Sequence, residues 1–260
     1  MNSDRQHWVR YSNEGAIGFG TLESGQIREF RGDMFGTPEA TGRVLAQDGV
    51  RLLYPTQPTK VIAMWNNFAA LGAKLGLAVP PEPLYLLKAP NSYANPGEVI
   101  RQPRSGGKVV FEGELGIVIG KTASGVGVDE AMDHVFGYTC ANDVTEAEIL
   151  NRDPSFTQWM RAKGLDTFCP MGPVVATGLD ASTLVVRTWL NGELRQEYPI
   201  SDMRFSVQRL VSLISFDMTL YPGDLILCGT SIGVGSMKPG SDIAIEIAGI
   251  GRLANRYEAR

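Results

Sequence analysis

The chain lacks any broad excess of positive charge: 24 Lys and Arg stand against 28 Asp and Glu, for a net charge of −4 and a pI near 5.3. Without a basic footprint to meet phosphates, nucleic-acid binding is disfavoured. Cysteine is scarce. Cys140, Cys169 and Cys228 are odd in number, far apart and never in a Cys-x-x-Cys pair. They indicate neither a disulfide framework nor a zinc ribbon, and fit a reducing, cytoplasmic setting. No stretch reaches the roughly 18 apolar residues of a membrane span, and the opening MNSDRQHWVRYSNE has no apolar signal-peptide core, so a soluble protein is expected. Histidine is limited to His7 and His134, and His134, in DEAMDHVFG, reads as a helix-surface or capping residue. The expected partners are small molecules and further copies of the same chain.

What the chain does contain is an ordinary globular mixture, 43% apolar and 20% charged over 260 residues. That length supports one large core, or a core with a small appendage. Residues 6–54 read as short β segments, HWVRYS, AIGFGTL and QIREFRG, broken by Asn13, Gly15, Ser24 and Gly25. Two prolines in YPTQPTK close this part, since proline restricts both itself and the residue before it. The expected division is a small N-terminal β domain over 1–56 and a catalytic domain over 57–260. KVIAMW reads as a buried strand, NFAALGAKLGL as a helix, and VPPEPLYLL as an extended run toward Lys88.

From Val109 the pattern strengthens. KVVFEGELGIVIGK is β-branched and predicts one central strand; DEAMDHVFG predicts a short helix and YTCANDV a strand ending at Asp143. Thr145 with Glu148, and Ser155 with Gln158, have the spacing of reciprocal helix caps, with Pro154 between the two helices. Asn191-Gly192, set between two alternating runs in TLVVRTWLNGELRQEYPI, predicts a β-hairpin. Val207, Leu210, Val211 and Ile214 have helical spacing. DLILCG and DIAIEIAGIGRLANRY return to strands, with no internal repeat. The expected fold class is a β-rich α+β protein.

Glu112 and Glu114 sit two apart in FEGELG, a spacing that points both side chains to one face of a strand. Buried together, two carboxylates need a counter-charge or must take up protons. Asp143 closes a nearby strand. Carboxylate oxygens without histidine or thiolate select hard ions such as Mg²⁺, Mn²⁺ or Ca²⁺ over zinc. Spacing alone leaves two readings open, a metal site or a solvated strand face.

EGELGIVIGK, YTCANDVT, RAKGLDTFCPMGP and GTSIGVG, in that order, resemble the fumarylacetoacetate hydrolase family from about residue 50 to the end, in its 2-hydroxyhepta-2,4-diene-1,7-dioate isomerase-like branch. The resemblance implies a rolled mixed β-sheet, assembled as a homodimer or dimer of dimers. It implies Glu112, Glu114 and Asp143 as ligands of a divalent ion, with Mg²⁺ ahead of Mn²⁺ or Ca²⁺, and Lys163 and Glu114 as catalytic. Lys163 by itself reads as a solvated helix-end lysine; the motif it matches places it by the metal and a substrate enolate. Thr230 and Gly229 in the GTSIGVG loop, otherwise turn residues, become substrate contacts, with backbone N–H groups able to cradle a carboxylate. Lys88, Asn67 and Gln158 match pocket-lining positions.

The implied activity is C–C bond hydrolysis or cleavage of a 2-oxo acid through a stabilised enolate. Isomerase, tautomerase or decarboxylase action on hydroxydienoate or oxo-diacid substrates is the alternative, and a metal-binding member that has lost catalysis is the second. The chain departs from the family in one stretch. Where members carry Asn-Tyr-x-x-His-x-x-Glu, this sequence reads NFAALGAK, so Leu71 and Lys74 replace the usual base and acid, and Ala69 offers nothing titratable either. The arginine that commonly follows Asp-Val-Thr is also missing.

Overall fold

The computed structural model describes residues 5–260. Gly113–Ile119 runs through the middle of a 12-stranded sheet and is buried at every position, which is why LGIVIG carries no polar alternation. It pairs antiparallel with Val135–Asn142 on one side and Leu225–Leu227 on the other. Beyond Leu225–Leu227 the sheet continues through Val61–Trp65, the one parallel neighbour in this stretch, to Leu84–Lys88. Toward the opposite edge, Val135–Asn142 pairs with Cys169–Ala176, which in turn meets His7–Asn13 through His7↔Ala176 and Trp8↔Val175. The N-terminal hairpin strands Ala16–Glu23, Gln26–Arg31 and Glu39–Ala46 extend outward from there.

A five-stranded sheet, in the order Glu193–Pro199, Val185–Leu190, Ser241–Ile247, Gly251–Glu258, Val99–Arg101, covers the large one. Leu115, Ile117 and Cys140 of the large sheet share a core cluster with Ile243, Ile245 and Leu253 of the smaller. Each fully buried Leu or Ile contributes roughly 1.5–3 kcal/mol, so this interface adds substantially to stability. The Asn191-Gly192 hairpin forms as expected, with both residues at positive φ (51° and 80°).

Four α-helices are short: α1 (Ala69–Lys74), α2 (Ala147–Leu150), α3 (Trp159–Lys163) and α4 (Val207–Asp217). Helix α4 starts on Ser206, whose hydroxyl accepts from Arg209 N at 3.4 Å, and buries Leu210, Val211 and Ile214. Three local expectations need correction. The strand expected over 109–119 breaks at Glu112, and Val109–Phe111 joins a separate three-stranded sheet with Thr145–Glu146 and Gly235–Met237. The expected reciprocal caps do not form. Helix α2 is capped by Glu146, which accepts from Glu148 N and Ile149 N at 3.1 and 2.9 Å, because Thr145 lies in a strand with its hydroxyl engaged elsewhere. Ser155 turns to Asp153 at 2.6 Å, leaving Gln158 at the start of α3 with no capping bond. Finally, DEAMDHVFG supports only a 3₁₀ turn over Ala131–His134.

Among the described residues no helix is long and apolar enough to cross a membrane. All three cysteines are buried free thiols.

Candidate metal centre

Strand register brings the acidic residues together. Gly113 pairs with Asn142, so the next residue along, Asp143, falls opposite Glu112, and its N–H donates to Glu112 O at 2.9 Å. The strand break at Glu112 is held by Asn142, whose Oδ1 accepts from Glu112 N at 3.0 Å. One oxygen from each of Glu112, Glu114 and Asp143 then lies within 4.8 Å of the others. Glu114 and Asp143 are fully buried and the Glu112 side chain is 13% exposed.

Two lysines reach into this cluster. Lys163, the last residue of α3, donates to Asp143 Oδ2 at 2.6 Å and to Glu112 Oε2 at 3.0 Å. Lys88, at the end of its strand, donates to the carbonyls of Phe168 and Val144 at 3.0 and 3.3 Å. Its Nζ also lies 2.7 Å from Asp143 Oδ1, an ion-pair contact without hydrogen-bond alignment. Burial opposes ionisation of Asp143, but the Lys163 and Lys88 charges outweigh it and hold the carboxyl below its usual range. Burial pushes Glu112 up, with Lys163 partly offsetting it. Glu114 is pushed well up, first by burial and then by Asp143 and Glu112. Burial would lower Lys163, yet the surrounding carboxylates raise it, so this ammonium keeps its proton.

Three carboxylates facing two ammonium groups leave one negative charge without a partner. The carboxyl left without a cation partner is Glu114: its Oε2 accepts from Gly229 N at 2.8 Å, while its Oε1 is buried with no hydrogen bond. A buried carboxylate oxygen left bare is unfavourable. An all-oxygen donor set of this kind fits a hard dication.

The peptide between the two glutamates is fixed by side chains from the other sheet and from the loop that follows Leu225–Leu227. Gly113 N donates to Gln196 Oε1 at 3.1 Å, and Gly113 O accepts from Thr230 Oγ1 at 3.1 Å and from the Tyr198 hydroxyl. Gln196 Nε2 in turn donates to Thr230 Oγ1 at 2.9 Å. A Cβ at position 113 would fall 2.0 Å from Thr188 Oγ1, so the approach of the two sheets requires glycine there. Thr145 completes the setting by donating to Glu112 Oε1 at 2.8 Å.

The structure therefore gathers Glu112, Glu114, Asp143, Lys163 and Lys88 at one point. Thr230 and Gly229, expected as substrate contacts, adjoin that point, but their polar groups are spent on the protein: Thr230 on Gly113 and Gln196, Gly229 on Glu114. Asn67 is used likewise, donating to Cys228 O at 2.8 Å and accepting from Phe205 N at 3.0 Å. Gln158 is half-buried at the start of α3, one turn before Lys163. Next to it, Trp159 packs against Trp65 with ring centroids 4.9 Å apart, which gives the Lys163 helix an aromatic support. Leu71 is half-buried, and Ala69 and Lys74 are exposed, so α1 offers no acid or histidine to the centre. His7 and His134 turn to the carbonyls of Gly249 and Lys121.

Sequence reasoning missed Gln196 and Tyr198. Their signal was faint: they are the buried positions, two apart, on the otherwise exposed strand Glu193–Pro199. Thr145 was misassigned as a cap.

Comparison with known proteins agrees with this geometry. The fumarylacetoacetate (FAA) hydrolase C-terminal family model matches residues 60–258, and the Rv2993c-like N-terminal model matches 6–55. The chain is 42% identical over 231 residues to protein Rv2993c of Mycobacterium tuberculosis, covering 88% of this chain and 86% of that protein. It is 36% identical to the 4-hydroxyphenylacetate degradation bifunctional isomerase/decarboxylase of Salmonella dublin, covering 85% of this chain and 53% of that protein. Among solved structures, the 2-hydroxyhepta-2,4-diene-1,7-dioate isomerase of Mycobacterium marinum superposes with a TM-score of 0.90 at 37% identity, covering 98% of this chain and 99% of that one. The fumarylpyruvate hydrolase of Pseudomonas aeruginosa, in complex with Mn²⁺ and pyruvate, gives 0.73 at 26% identity, covering 80% and 91%. A match across both parts of the chain, with the acidic cluster in place, shows that the protein belongs to the fumarylacetoacetate hydrolase family, in its 2-hydroxyhepta-2,4-diene-1,7-dioate isomerase-like branch.

Proposed function

We propose that the chain is a divalent-metal-dependent enzyme that enolises a 2-oxo acid and rearranges it by proton transfer, as an isomerase or tautomerase. The observation that carries this reading is the buried Lys163, bridging Glu112 and Asp143 beside the unbonded oxygen of Glu114. Glu112, Glu114 and Asp143 would hold the ion, magnesium in the first instance. A dication held there supplies a Lewis acid that draws electron density from the oxygens of a 2-oxo acid.

The protein's own contribution is charge and proton placement. Lys163 holds its ammonium charge beside the carboxylate cluster, where it would stabilise a developing enolate. Lys88 holds Asp143 ionised. Gln196, Tyr198 and Thr230 fix the Gly113 peptide and with it the spacing of Glu112 and Glu114.

Hydrolysis, which leads on sequence alone, is the second reading, favoured by the likeness to fumarylpyruvate hydrolase. It needs a group that activates water, and α1 carries Ala69, Leu71 and Lys74 where such a group is expected. The buried free thiols support a cytoplasmic setting, and the same reading takes the chain as a homodimer or dimer of dimers, divided at residue 56.

Isotope incorporation separates the outcomes. Incubation of the Mg²⁺-loaded protein with 2-oxo and dioxo acids in D₂O should place deuterium on the carbon beside the oxo group, with the carbon skeleton intact. Cleavage with ¹⁸O from labelled water in the product carboxylate would replace this reading with hydrolysis, and loss of CO₂ with decarboxylation. If no acid exchanges deuterium or changes mass, the chain is a metal-binding member without catalysis.

A further inference from the structure

The chain carries a net charge of −4, yet one cavity outside the metal centre is ringed by positive charge. This cavity, of about 310 Å³, borders α3 and the turn after it and is lined by Arg101, Arg104, Arg161 and Arg260, with Asp166 as its one acidic residue. Asp166 is already engaged: it accepts from Asn91 Nδ2 at 2.9 Å and lies 3.9 Å from Arg260. Among the described residues no carboxylate pairs with Arg101, Arg104 or Arg161, and their side chains make no hydrogen bond to the protein. By contrast, Arg31 and Arg187 each face a glutamate across their strand pair, at 2.7 and 2.8 Å.

The rim is held by contacts between segments distant in sequence. Arg101 ends the strand Val99–Arg101, and its N donates to Thr167 Oγ1 at 2.8 Å. Arg104 sits in the turn that follows, closed by Gly106 N donating to Pro103 O at 3.0 Å. Arg161 projects from α3, and Asn91 ties the end of that helix down by donating to Gly164 O at 3.0 Å. Pro103, Ile149 and Leu165 give the cavity apolar walls. Charges of one sign around such a concavity repel one another, and the cleft focuses their potential and concentrates anions.

The number of unanswered cations indicates the ligand. A single carboxylate would neutralise one guanidinium of three. A phosphate chain carries several charges within a few atoms, and its oxygens meet a guanidinium fork through two parallel hydrogen bonds. We propose that this cavity is a second ligand site, which takes the di- or triphosphate group of a small molecule on Arg101, Arg104 and Arg161. It shares no residue with the acidic cluster, although Gly164 on its rim directly follows Lys163.

The test is calorimetric titration of chelator-treated protein with tripolyphosphate at constant ionic strength. Excess chelator keeps metal from carrying the phosphates to the acidic cluster, which repels them when bare. One tripolyphosphate should bind per chain, roughly tenfold or more tightly than citrate, whose three carboxylates test whether charge alone suffices. Arg101→Gln and Arg161→Gln should each weaken binding about tenfold, and Arg187→Gln, away from the cavity, should leave it unchanged. Both cavity arginines are exposed and free of side-chain bonds, so these variants should fold as the wild type does. ATP binding more tightly than tripolyphosphate would identify a nucleotide as the source of the phosphates, and equal binding the phosphate chain alone. Citrate binding as tightly as tripolyphosphate would reduce the cavity to a nonspecific basic patch. Tripolyphosphate binding that survives both cavity substitutions, or no binding at all, would overturn the site.

Discussion

Asp224 and Glu114 are both fully buried carboxylates, and they differ in how completely the protein answers their charge. Asp224 accepts from Thr59 N, Thr59 Oγ1 and Lys60 N, from Tyr221 N, and from Lys60 Nζ at 2.5 Å, so both of its oxygens are satisfied. Glu114 has one backbone donor, two carboxylates for neighbours and a bare oxygen. The first arrangement completes a fold. The second is incomplete without a ligand, and the difference separates structural from functional burial of charge more clearly than burial alone.

The largest expected contrast is in stability. Asp224→Ala strips a half-buried lysine and several N–H groups of their acceptor and should cost roughly 3–5 kcal/mol in denaturant unfolding. Glu114→Gln, measured without metal, relieves like-charge repulsion and should leave stability unchanged or raise it by about 1 kcal/mol. Equal losses in the two variants would erase the distinction. Next in size is catalysis: Lys163→Met should lower kcat roughly a hundredfold or more while Mn²⁺ still binds. An unchanged kcat would remove this lysine from the chemistry.

A smaller effect is the pH dependence of the metal-free protein. The folded-state pKa of Glu114 is raised above its unfolded value, so the stability linked to its proton is present at low pH and lost as pH rises through the raised value. Thermal midpoints of metal-free protein should therefore fall between the ordinary carboxylate range and that raised value. Metal-loaded protein, in which the ion replaces the proton, should lack this decline. Parallel curves for the two forms would place the titration elsewhere.

Local signals in the sequence were legible where neighbouring residues decide the structure. Asn191-Gly192 specifies its turn through positive φ angles, and the spacing of Leu210, Val211 and Ile214 specifies α4. The acidic cluster was legible only in part: the two-residue spacing put Glu112 and Glu114 on one strand face, while the family resemblance, not spacing, added Asp143 and the ion. Long-range competition hid the rest. Thr145 has the spacing of a cap, but its hydroxyl is taken by Glu112, 33 residues away in sequence. Gln196 and Tyr198 reach Gly113 only because two sheets stack, and no pattern within one strand encodes that approach.

Glu114, Glu112 and Asp143 are proposed to hold one dication together. Titration of chelator-treated protein with Mn²⁺, followed by the loss of the free-ion electron paramagnetic resonance signal, tests it directly. Wild-type protein should bind one ion per chain, and Glu114→Gln, folded by circular dichroism, should lose that binding. A Glu114→Gln variant that takes up one Mn²⁺ per chain with wild-type affinity would contradict it.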